Sequence, residues 1–439
     1  MKDRAVFQNA SWIVGCKIVQ SVLGLLVGMQ TARYLGPDNY GLISYAASVA
    51  AFFVPVMQLG FRSTLVRELV VSPEKEGETL GTALFMNVIS AGICVVGVWA
   101  FTSVANRGET DTVIVCTLYA ANLVFQALEM IQYWFQAKLL SRYTAIISIA
   151  SYIAASLYKI WLLISQKSVY WFAVSQVIDY AIIAIFLIII YRLKGGQKLT
   201  FSLRRGKEMF RVSSYYIVSS LMVTIFANTD SIMLKLMQGE SATGFYSAAV
   251  TCATCTSFVF GAVIDSVRPV CLESYQTSQA EFERNMKSLV SVVVWLALAQ
   301  SVVFTLLSDT IVSILYGSAY QASAGALRVV TWYSAFSYLG AVRNVWVLAE
   351  EKHTYLWIIN LSGALGNILL NAVLIPQLGI NGAALASVLT QIFTNVMIGF
   401  LIPALRPYNR LLIGGASPKY LLSLIKGFLK RFRIGNMGG

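Results

Sequence analysis

Long runs of apolar residues follow one another along the chain, and short polar connectors separate them. A helix needs about 20 apolar residues to cross the roughly 30 Å of hydrocarbon in a bilayer. Twelve runs reach this length, so the pattern predicts twelve membrane-spanning helices. The predicted spans cover residues 11–34, 41–61, 82–104, 113–136, 144–165, 169–191, 212–236, 245–268, 288–307, 325–348, 354–375 and 382–404.

The composition agrees with an all-α polytopic membrane protein. Of 439 residues, 57% are hydrophobic and only 12% are charged, with a mean hydropathy of +0.69. Soluble domains contain about 25% charged residues, and a soluble fold of this composition would expose enough apolar surface to aggregate. The 31 Gly and 8 Pro exclude collagen-like and proline-rich chains, and the hydropathy excludes a disordered one.

The net charge of +13 indicates membrane orientation rather than nucleic-acid binding, because the basic residues stand in connectors and form no basic, aromatic face. Residues 1–10, the even-numbered connectors and the tail contain 25 of the 33 Lys and Arg when Arg268, at the end of span eight, is counted with them. The opposite side contains four, which are Arg107, Lys167 and, at span ends, Arg33 and Lys235. Cytoplasmic connectors are enriched in these residues. The sequence therefore predicts that both termini are cytoplasmic.

A basic connector divides the chain into two sets of six spans. We predict an N-terminal lobe at 1–192, a cytoplasmic linker at 193–211, a C-terminal lobe at 212–405 and a basic tail at 406–439. A weak internal repeat, which we call the internal echo, supports the division into two related halves. The G-x4-G loops at 36–41 and 239–244 are each followed by an apolar run that contains Ser and Ala. Duplicated halves of this kind are typical of transporters.

The tail segment 418–433 predicts an amphipathic helix, with aliphatic and Phe residues on one face and Lys and Arg opposite them. Such a helix lies on an anionic cytoplasmic leaflet. A membrane anchor is the simpler interpretation, and partner docking or regulation is the alternative.

The sequence contains no recognisable catalytic or metal-binding set. His353 is the one histidine, and the six cysteines lie in or beside apolar runs, where a thiol acts as a small packing residue. No Asp-x-Asp, P-loop or nucleophile-elbow motif occurs. A polysaccharide polymerase, ligase or glycosyltransferase is therefore disfavoured, and no metal, cofactor or nucleic-acid partner is expected.

Four stretches, in order along most of the chain, resemble the Wzx-type polysaccharide flippases of the multidrug/oligosaccharidyl-lipid/polysaccharide (MOP) exporter superfamily. They are ARYLGPDNYGLISYAASVAAFFVPVMQLGFR (32–62), ANTDSIMLKLMQGESATGFYSAA (227–249), ILYGSAYQASAGALRVVTWYSAF (314–336) and NLSGALGNILLNAVLIPQLGINGAALASVL (360–389). The resemblance implies two six-helix lobes in a MATE-like inverted V around a central cavity.

The resemblance also implies a function, which is flipping of undecaprenyl-diphosphate-linked oligosaccharide repeat units across a bacterial inner membrane by alternating access. The products would serve O-antigen, capsule or exopolysaccharide synthesis. Expected partners are the lipid-linked oligosaccharide, membrane lipids, a polysaccharide polymerase and chain-length proteins. No cofactor is implied, and the coupling ion, H⁺ or Na⁺, stays open. The rival function is a cation-coupled multidrug exporter of the same superfamily, for which we would expect a more acidic cavity.

A sugar-diphosphate head loses its water partners in hydrocarbon, so a flippase must replace them with cations and hydrogen-bond donors. The candidates for this cationic cavity are Lys17, Lys159, Arg343, Arg62, Arg268 and Arg328. Structural alternatives exist for each. The arginines other than Arg343 stand near span ends, from which long side chains reach the interface, and Lys159 could be neutralised by a nearby acid, Asp179 or Glu129.

Acidic residues inside spans are candidates for ion coupling or gating, because such groups are costly and usually functional. They are Glu129, Asp179, Asp230 and Asp265. Structural salt bridges are the alternative, most simply between Asp265 and Arg268. Asn360, Asn367 and Asn371 lie on one face of span eleven, where they would either pack against another helix or line a sugar-binding cavity.

Overall fold

The computed structural model describes the backbone from Lys2 to Gly435 and the side-chain surroundings at Gly15 and over residues 19–426. All regular structure within these residues is helical. The helices are α1 (Lys2–Met57), α2 (Leu65–Val71), α3 (Glu76–Ala105), α4 (Thr110–Ala120), α5 (Asn122–Leu128), α6 (Gln132–Ala137), α7 (Ser141–Ile164), α8 (Val169–Leu193), α9 (Leu203–Gln238), α10 (Glu240–Thr254), α11 (Ser257–Thr277), α12 (Gln279–Tyr316), α13 (Ser323–Ala349), α14 (Thr354–Leu378), α15 (Ile380–Ile392), α16 (Ile398–Leu401), α17 (Arg406–Ala416) and α18 (Pro418–Gly435).

The helices account for all twelve predicted spans. Ten segments of the described chain are long and apolar enough to cross a membrane. One of them, within α1, contains two spans, because Gly36 interrupts the helix with φ 72° and ψ 172°. The remaining span is α13, which is 27 residues long and includes Arg328 and Arg343. The all-α, polytopic fold class is therefore confirmed.

Three spans are interrupted inside the apolar region, which the hydropathy pattern does not reveal. Span four contains a 3₁₀ turn at Glu129–Ile131, and span twelve contains a π-helical turn at Phe393–Met397. Span eight breaks between α10 and α11, where Gln300 Nε2 donates to the carbonyl of Ala253 at 2.9 Å. Such interruptions free backbone groups and often mark functional positions in membrane helices.

The chain forms two compact units. The first comprises Met1–Ala248 and Leu315–Tyr320, and the second comprises Ala249–Ile314 and Gln321–Gly439. Each unit has its own apolar core. Large buried side chains of the first include Phe61, Phe135 and Tyr191, and those of the second include Phe282, Trp346 and Tyr408. The sequence-based division into lobes of 1–192 and 212–405 stays a prediction.

The basic connector between spans six and seven is an ordered strap on α3. The Thr200 amide donates to the Gly77 carbonyl at 3.2 Å, and the Tyr191 hydroxyl donates to the Gln197 carbonyl at 2.7 Å. A Cβ atom at Gly81 would lie 2.4 Å from the Thr200 carbonyl oxygen, so a glycine is required there. The strap thus fixes the start of α9 against α3 within the first unit.

The two G-x4-G loops of the internal echo meet each other in the first unit. A Cβ atom at Gly41 would lie 1.9 Å from the Glu240 carbonyl oxygen, and one at Gly244 would lie 2.0 Å from the Pro37 carbonyl oxygen. Tyr320 packs edge-on against an aromatic neighbour of each loop, Tyr40 at 6.2 Å and Phe245 at 6.0 Å between ring centroids. The contact is reciprocal, with a glycine of each loop against the backbone of the other.

Substituting Ala for Gly244 should lower the free energy of unfolding by about 2 kcal/mol, because the new methyl group forces two backbones apart. The matched control is Gly92→Ala, since Gly92 also lies inside a helix but has open space around it. Helix propensity should make that change neutral or stabilising by up to about 1 kcal/mol. Thermal unfolding in detergent measures both variants, and equal stability of the two would contradict the close contact.

The amphipathic tail helix predicted over 418–433 is present as α18. Its first turn is docked on α12, since the Tyr420 hydroxyl lies 3.1 Å from Ser288 Oγ and donates to the Arg284 carbonyl at 3.2 Å. The preceding helix α17 packs closely there too, because a Cβ atom at Gly415 would lie 2.7 Å from the Lys287 carbonyl oxygen. Membrane anchoring by the tail stays a prediction.

Candidate functional site

The first unit contains a polar cluster inside its apolar helices, centred on Asp179 of α8. The Ser151 hydroxyl, on α7, donates to the Asp179 carboxylate at 2.5 Å and to the Asp179 carbonyl at 2.7 Å. Lys159 lies about two turns further along α7, close enough for its charge to interact with that of Asp179. Asp179 therefore faces a hydroxyl on the neighbouring helix and lies within electrostatic range of a cation on that helix.

Glu129 and Arg62 belong to the same cluster because the chain turns at both positions. The 3₁₀ turn in span four presents Glu129, and the turn Phe61–Ser63 that follows α1 presents Arg62. The Glu129 charge interacts with those of Arg62 and Asp179. We call Arg62, Glu129, Lys159 and Asp179 the Asp179 cluster. It unites four of the residues proposed from the sequence, and its formal charges cancel.

The charged groups of the Asp179 cluster interact without forming close ion pairs. Among the residues that the structure describes, no member has a charged N–O contact of 4.0 Å or less with another. Arg62 is exposed, and the other three members are half-buried rather than sealed in the core. Tyrosines surround the acids, and Gln126 Nε2 donates to the Tyr180 hydroxyl at 3.3 Å. Because no close ion pair holds them, these charges can bind an ionic ligand without first breaking a salt bridge.

Arg343 lies apart from this cluster, inside the second unit. Its side chain is 6% exposed, and Nη1 donates to the Thr394 carbonyl at 2.6 Å. Thr394 belongs to the π-helical turn of span twelve. The guanidinium therefore stabilises an interruption within the unit's own core, and contact with cargo stays a prediction. Lys17 lies in α1, but its side chain is outside the described residues.

Arg268 and Arg328 form exposed ion pairs in the second unit. Arg268 Nη2 lies 2.9 Å from Asp265 Oδ1, one helical turn earlier, which is the structural alternative considered for both residues. Arg328 pairs with Asp309 of α12, and its Nε donates to Ser308 Oγ at 2.8 Å. Exposed pairs contribute about 0–1 kcal/mol to stability, and a role in binding cargo stays a prediction for both arginines.

The other predicted polar residues are buried among helices. The Tyr246 hydroxyl, on α10, donates to Asp230 on α9 at 2.5 Å. Asp230 therefore links the two helices beside the G-x4-G loop at 239–244. Asn371 Nδ2 donates to Asn367 Oδ1 at 3.0 Å, with both side chains buried. Asn360, on the same helix, is half-buried. Hydrogen bonding inside the bundle is the role that this geometry favours for Asp230, Asn367 and Asn371.

The sequence analysis missed a charged triad in the first unit. Lys235 Nζ lies 2.6 Å from Glu109 Oε2 and 2.7 Å from Glu240 Oε1, and the Lys235 side chain is only 2% exposed. The hydrogen bond from Lys235 is the main reason that the pKa of Glu109 is below its ordinary value. Thr112 Oγ1 also donates to Glu109 Oε2, at 2.9 Å. We call Lys235, Glu109 and Glu240 the Lys235 triad; it joins the α3–α4 connector to the α9–α10 corner.

Helices that account for twelve spans, with interruptions near Glu129 and Arg343, define a polytopic membrane protein. The fold is shared with solved transporters. The lipid II flippase MurJ in an inward closed conformation superposes with a TM-score of 0.72 at 15% identity, covering 95% of this chain and 92% of that one. An inward-facing multidrug resistance MATE family transporter of the MOP superfamily gives 0.67 at 14% identity, covering 91% and 96%. The MATE multidrug transporter DinF-BH gives 0.61 at 14% identity, covering 93% and 96%.

A family model described as "Polysaccharide biosynthesis protein" matches residues 6–274, which is more than half of the chain. The chain therefore belongs to this family of MOP-type flippases, and the resemblance found in the sequence is confirmed. It is a transporter that needs no cofactor, and not an enzyme. No curated protein matches the chain.

Proposed function

We propose that this protein flips undecaprenyl-diphosphate-linked oligosaccharide repeat units across a bacterial inner membrane by alternating access. O-antigen, capsule or exopolysaccharide synthesis would use the product. The observation that carries the proposal is the Asp179 cluster. This chain belongs to a family described by polysaccharide biosynthesis, and within its apolar helices it contains partly exposed charges that form no close ion pairs. The family match supports the pathway, and the cluster supports an ionic cargo.

The Asp179 cluster suits exchange between a cargo anion and a small cation. Arg62 and Lys159 can neutralise a diphosphate, and charge-assisted hydrogen bonds to phosphate are stronger than neutral ones. The acids Glu129 and Asp179 then need a countercharge of their own, which a proton or a sodium ion would supply. Binding of the cargo diphosphate to the cations would thereby favour binding of a proton or sodium ion to the acids. Cargo binding and ion binding would then be coupled within the first unit.

A transport assay distinguishes this proposal from a multidrug exporter. The full-length protein is reconstituted in liposomes with a fluorescently tagged undecaprenyl-diphosphate glycan, and a membrane-impermeant quencher reports the tagged lipid in the outer leaflet. We expect protein-dependent equilibration of the glycan between leaflets. Ion-driven movement of a cationic dye with no glycan flipping would overturn the proposal and favour drug export. Protein-free liposomes serve as the control.

The predicted orientation can be tested with reporter fusions. A reporter inserted after residue 200 should read as cytoplasmic, because the strap around it belongs to the strongly basic side of the membrane. One inserted near residue 108, in the α3–α4 connector, should read as periplasmic. Alkaline phosphatase and green fluorescent protein fusions give opposite signals for the two locations. The same reading at both sites would contradict the assignment of twelve spans with cytoplasmic termini.

A further inference from the structure

Two cations meet on one aromatic ring at one end of the α7–α8 pair, within the first unit. The guanidinium carbon of Arg142 lies 4.9 Å from the centroid of the Tyr143 ring, and Lys194 Nζ lies 4.8 Å from the same centroid. Arg142 stands in the first turn of α7, whereas Lys194 directly follows the last turn of α8. The packing of the two helices therefore brings two like charges together.

Neither cation is neutralised by the protein. Within residues 19–426, no carboxylate oxygen lies within 4.0 Å of Arg142 or Lys194. Attraction to the ring face holds each cation in place, but it leaves the repulsion between them uncompensated. Arg142 Nη2 donates to the Tyr143 hydroxyl at 3.1 Å, and this hydroxyl donates to no acceptor in the described part of the chain. Both cations are exposed, so a guanidinium, an ammonium and a hydroxyl are accessible to an external oxyanion.

The backbone fixes the position of Lys194 at the end of α8. The Lys194 amide donates to the Ile190 carbonyl at 2.9 Å, and the Gly196 amide donates to the Tyr191 carbonyl at 3.0 Å. Gly195 between them has a φ of 79°, the left-handed conformation that ends many helices. The Lys194 side chain therefore extends from an ordered helix end rather than from a loose connector.

The site lies beside an apolar, exposed surface. Ile146 and Ile153 follow Arg142 at spacings that keep them on the same face of α7, and both are exposed, as is Leu193 at the end of α8. Exposed apolar faces of membrane helices contact lipid chains. Ser151, which bonds to the Asp179 cluster, is nine residues from Arg142 and so lies on the opposite face of α7. The site therefore faces lipid and is separate from the cluster.

We infer that Arg142, Tyr143 and Lys194 bind the headgroup phosphate of an anionic phospholipid such as phosphatidylglycerol, whose acyl chains lie along the exposed isoleucines of α7. A guanidinium offers phosphate a fork of two N–H groups, and an ammonium adds a point charge. This end of α7 and α8 adjoins the basic connectors, and anionic leaflets attract such segments. The bound lipid neutralises both cations and joins α7 to α8. The site does not depend on the proposed flipping function.

Native mass spectrometry of the full-length protein tests the inference. The detergent-solubilised protein is titrated with phosphatidylglycerol or with phosphatidylcholine of the same acyl chains, whose phosphate is balanced by its own choline cation. We expect the first phosphatidylglycerol to bind at least about tenfold more tightly than the first phosphatidylcholine, which corresponds to about 1.4 kcal/mol. Equal affinity of the wild-type protein for the two lipids would overturn the inference, and this comparison does not depend on any variant.

Two double variants separate this site from a diffuse basic surface. Arg142→Gln with Lys194→Gln removes both cations and should abolish the preference for phosphatidylglycerol. The matched control, Lys198→Gln with Lys207→Gln, removes the same charge from exposed positions of the basic connector and should keep the preference. Equal loss in the two variants would overturn the site. Undecaprenyl diphosphate is titrated as a third lipid. If the Arg142 and Lys194 variant lost its binding but kept that of phosphatidylglycerol, the site would belong to the cargo lipid and the inference would be wrong.

Discussion

Replacing Lys159 with Met should reduce export of the lipid-linked glycan by about tenfold or more. The change removes a cation from the Asp179 cluster and leaves Asp179 without the compensating charge from α7. A diphosphate head would then meet a net negative site in a region where charge is poorly solvated. The liposome assay with tagged glycan measures the loss, normalised to the amount of protein in the membrane.

A second substitution distinguishes transport from structural pairing. Lys159→Met combined with Asp179→Asn removes one charge of each sign and restores a neutral cluster. If the residues serve only to neutralise each other, the double variant should recover both membrane abundance and export. We expect it to recover abundance but not export, because the cation that binds phosphate is still missing.

Lys207→Met is the matched control for this series. Lys207 is exposed at the start of α9, and the substitution is the same. We expect wild-type export and abundance from it. Wild-type export from both Lys159→Met and the double variant would remove Lys159 from the proposed mechanism, and the Asp179 cluster would then be a structural network.

The positions of the spans followed from the sequence because bilayer thickness imposes a length on every apolar run. The same pattern could not show where spans are interrupted. The turn at Glu129–Ile131 lies within an apolar run, and the π-helical turn at Phe393–Met397 adds one residue to a helix without changing its hydropathy. Both interruptions are stabilised by partners on other helices, such as Arg343, which hydropathy does not consider.

The members of the Asp179 cluster were found one at a time, as charges inside or at the ends of spans. Their grouping depends on which helices of the first unit are neighbours and on how each helix is rotated. The same rotation directs Arg343 toward the π-helical turn of its own unit. A charge count along the chain finds candidates of both kinds, but only the packing separates a partly exposed group from a buried one.

The sequence places Lys235 at the outer end of span seven, next to the Gly239 loop, and its charge counts toward the outer side of the membrane. In the structure it is among the most deeply buried charges of the first unit. One partner, Glu240, is close in sequence, but Glu109 is 126 residues away in another connector. A Lys one turn before a Gly-Glu pair is only a weak signal of a buried ion pair. The sequence could not show which distant acid completes the triad.

Lys235→Met should lower the free energy of unfolding by about 3 kcal/mol, the lower end of the range for breaking a buried ion pair. The lower end is appropriate because Glu109 and Glu240 remain partly exposed, at 45% and 32%, and can recover water. The change also removes the ion pairs that join the α3–α4 connector to the α9–α10 corner. This corner contains the G-x4-G loop at 239–244, which is in direct contact with the loop at 36–41. Thermal unfolding in detergent at neutral pH measures the effect, and stability equal to that of the wild type would contradict the triad.

The pH dependence of stability provides a second measurement on the same residues. The Glu109 pKa is lowered in the folded protein by the Lys235 hydrogen bond and the Thr112 hydroxyl, from an ordinary value of 4.5. The unfolded chain therefore takes up the proton first as the pH falls, and the contribution of Glu109 is present above pH 4.5 and is lost as the pH drops through the folded pKa. Other carboxylates titrate in this range too, so the difference between proteins is the informative quantity. Wild-type stability should fall more steeply below pH 4.5 than that of Lys235→Met or Glu109→Gln, whereas parallel curves would place the stabilising effect of Lys235 on Glu240 alone.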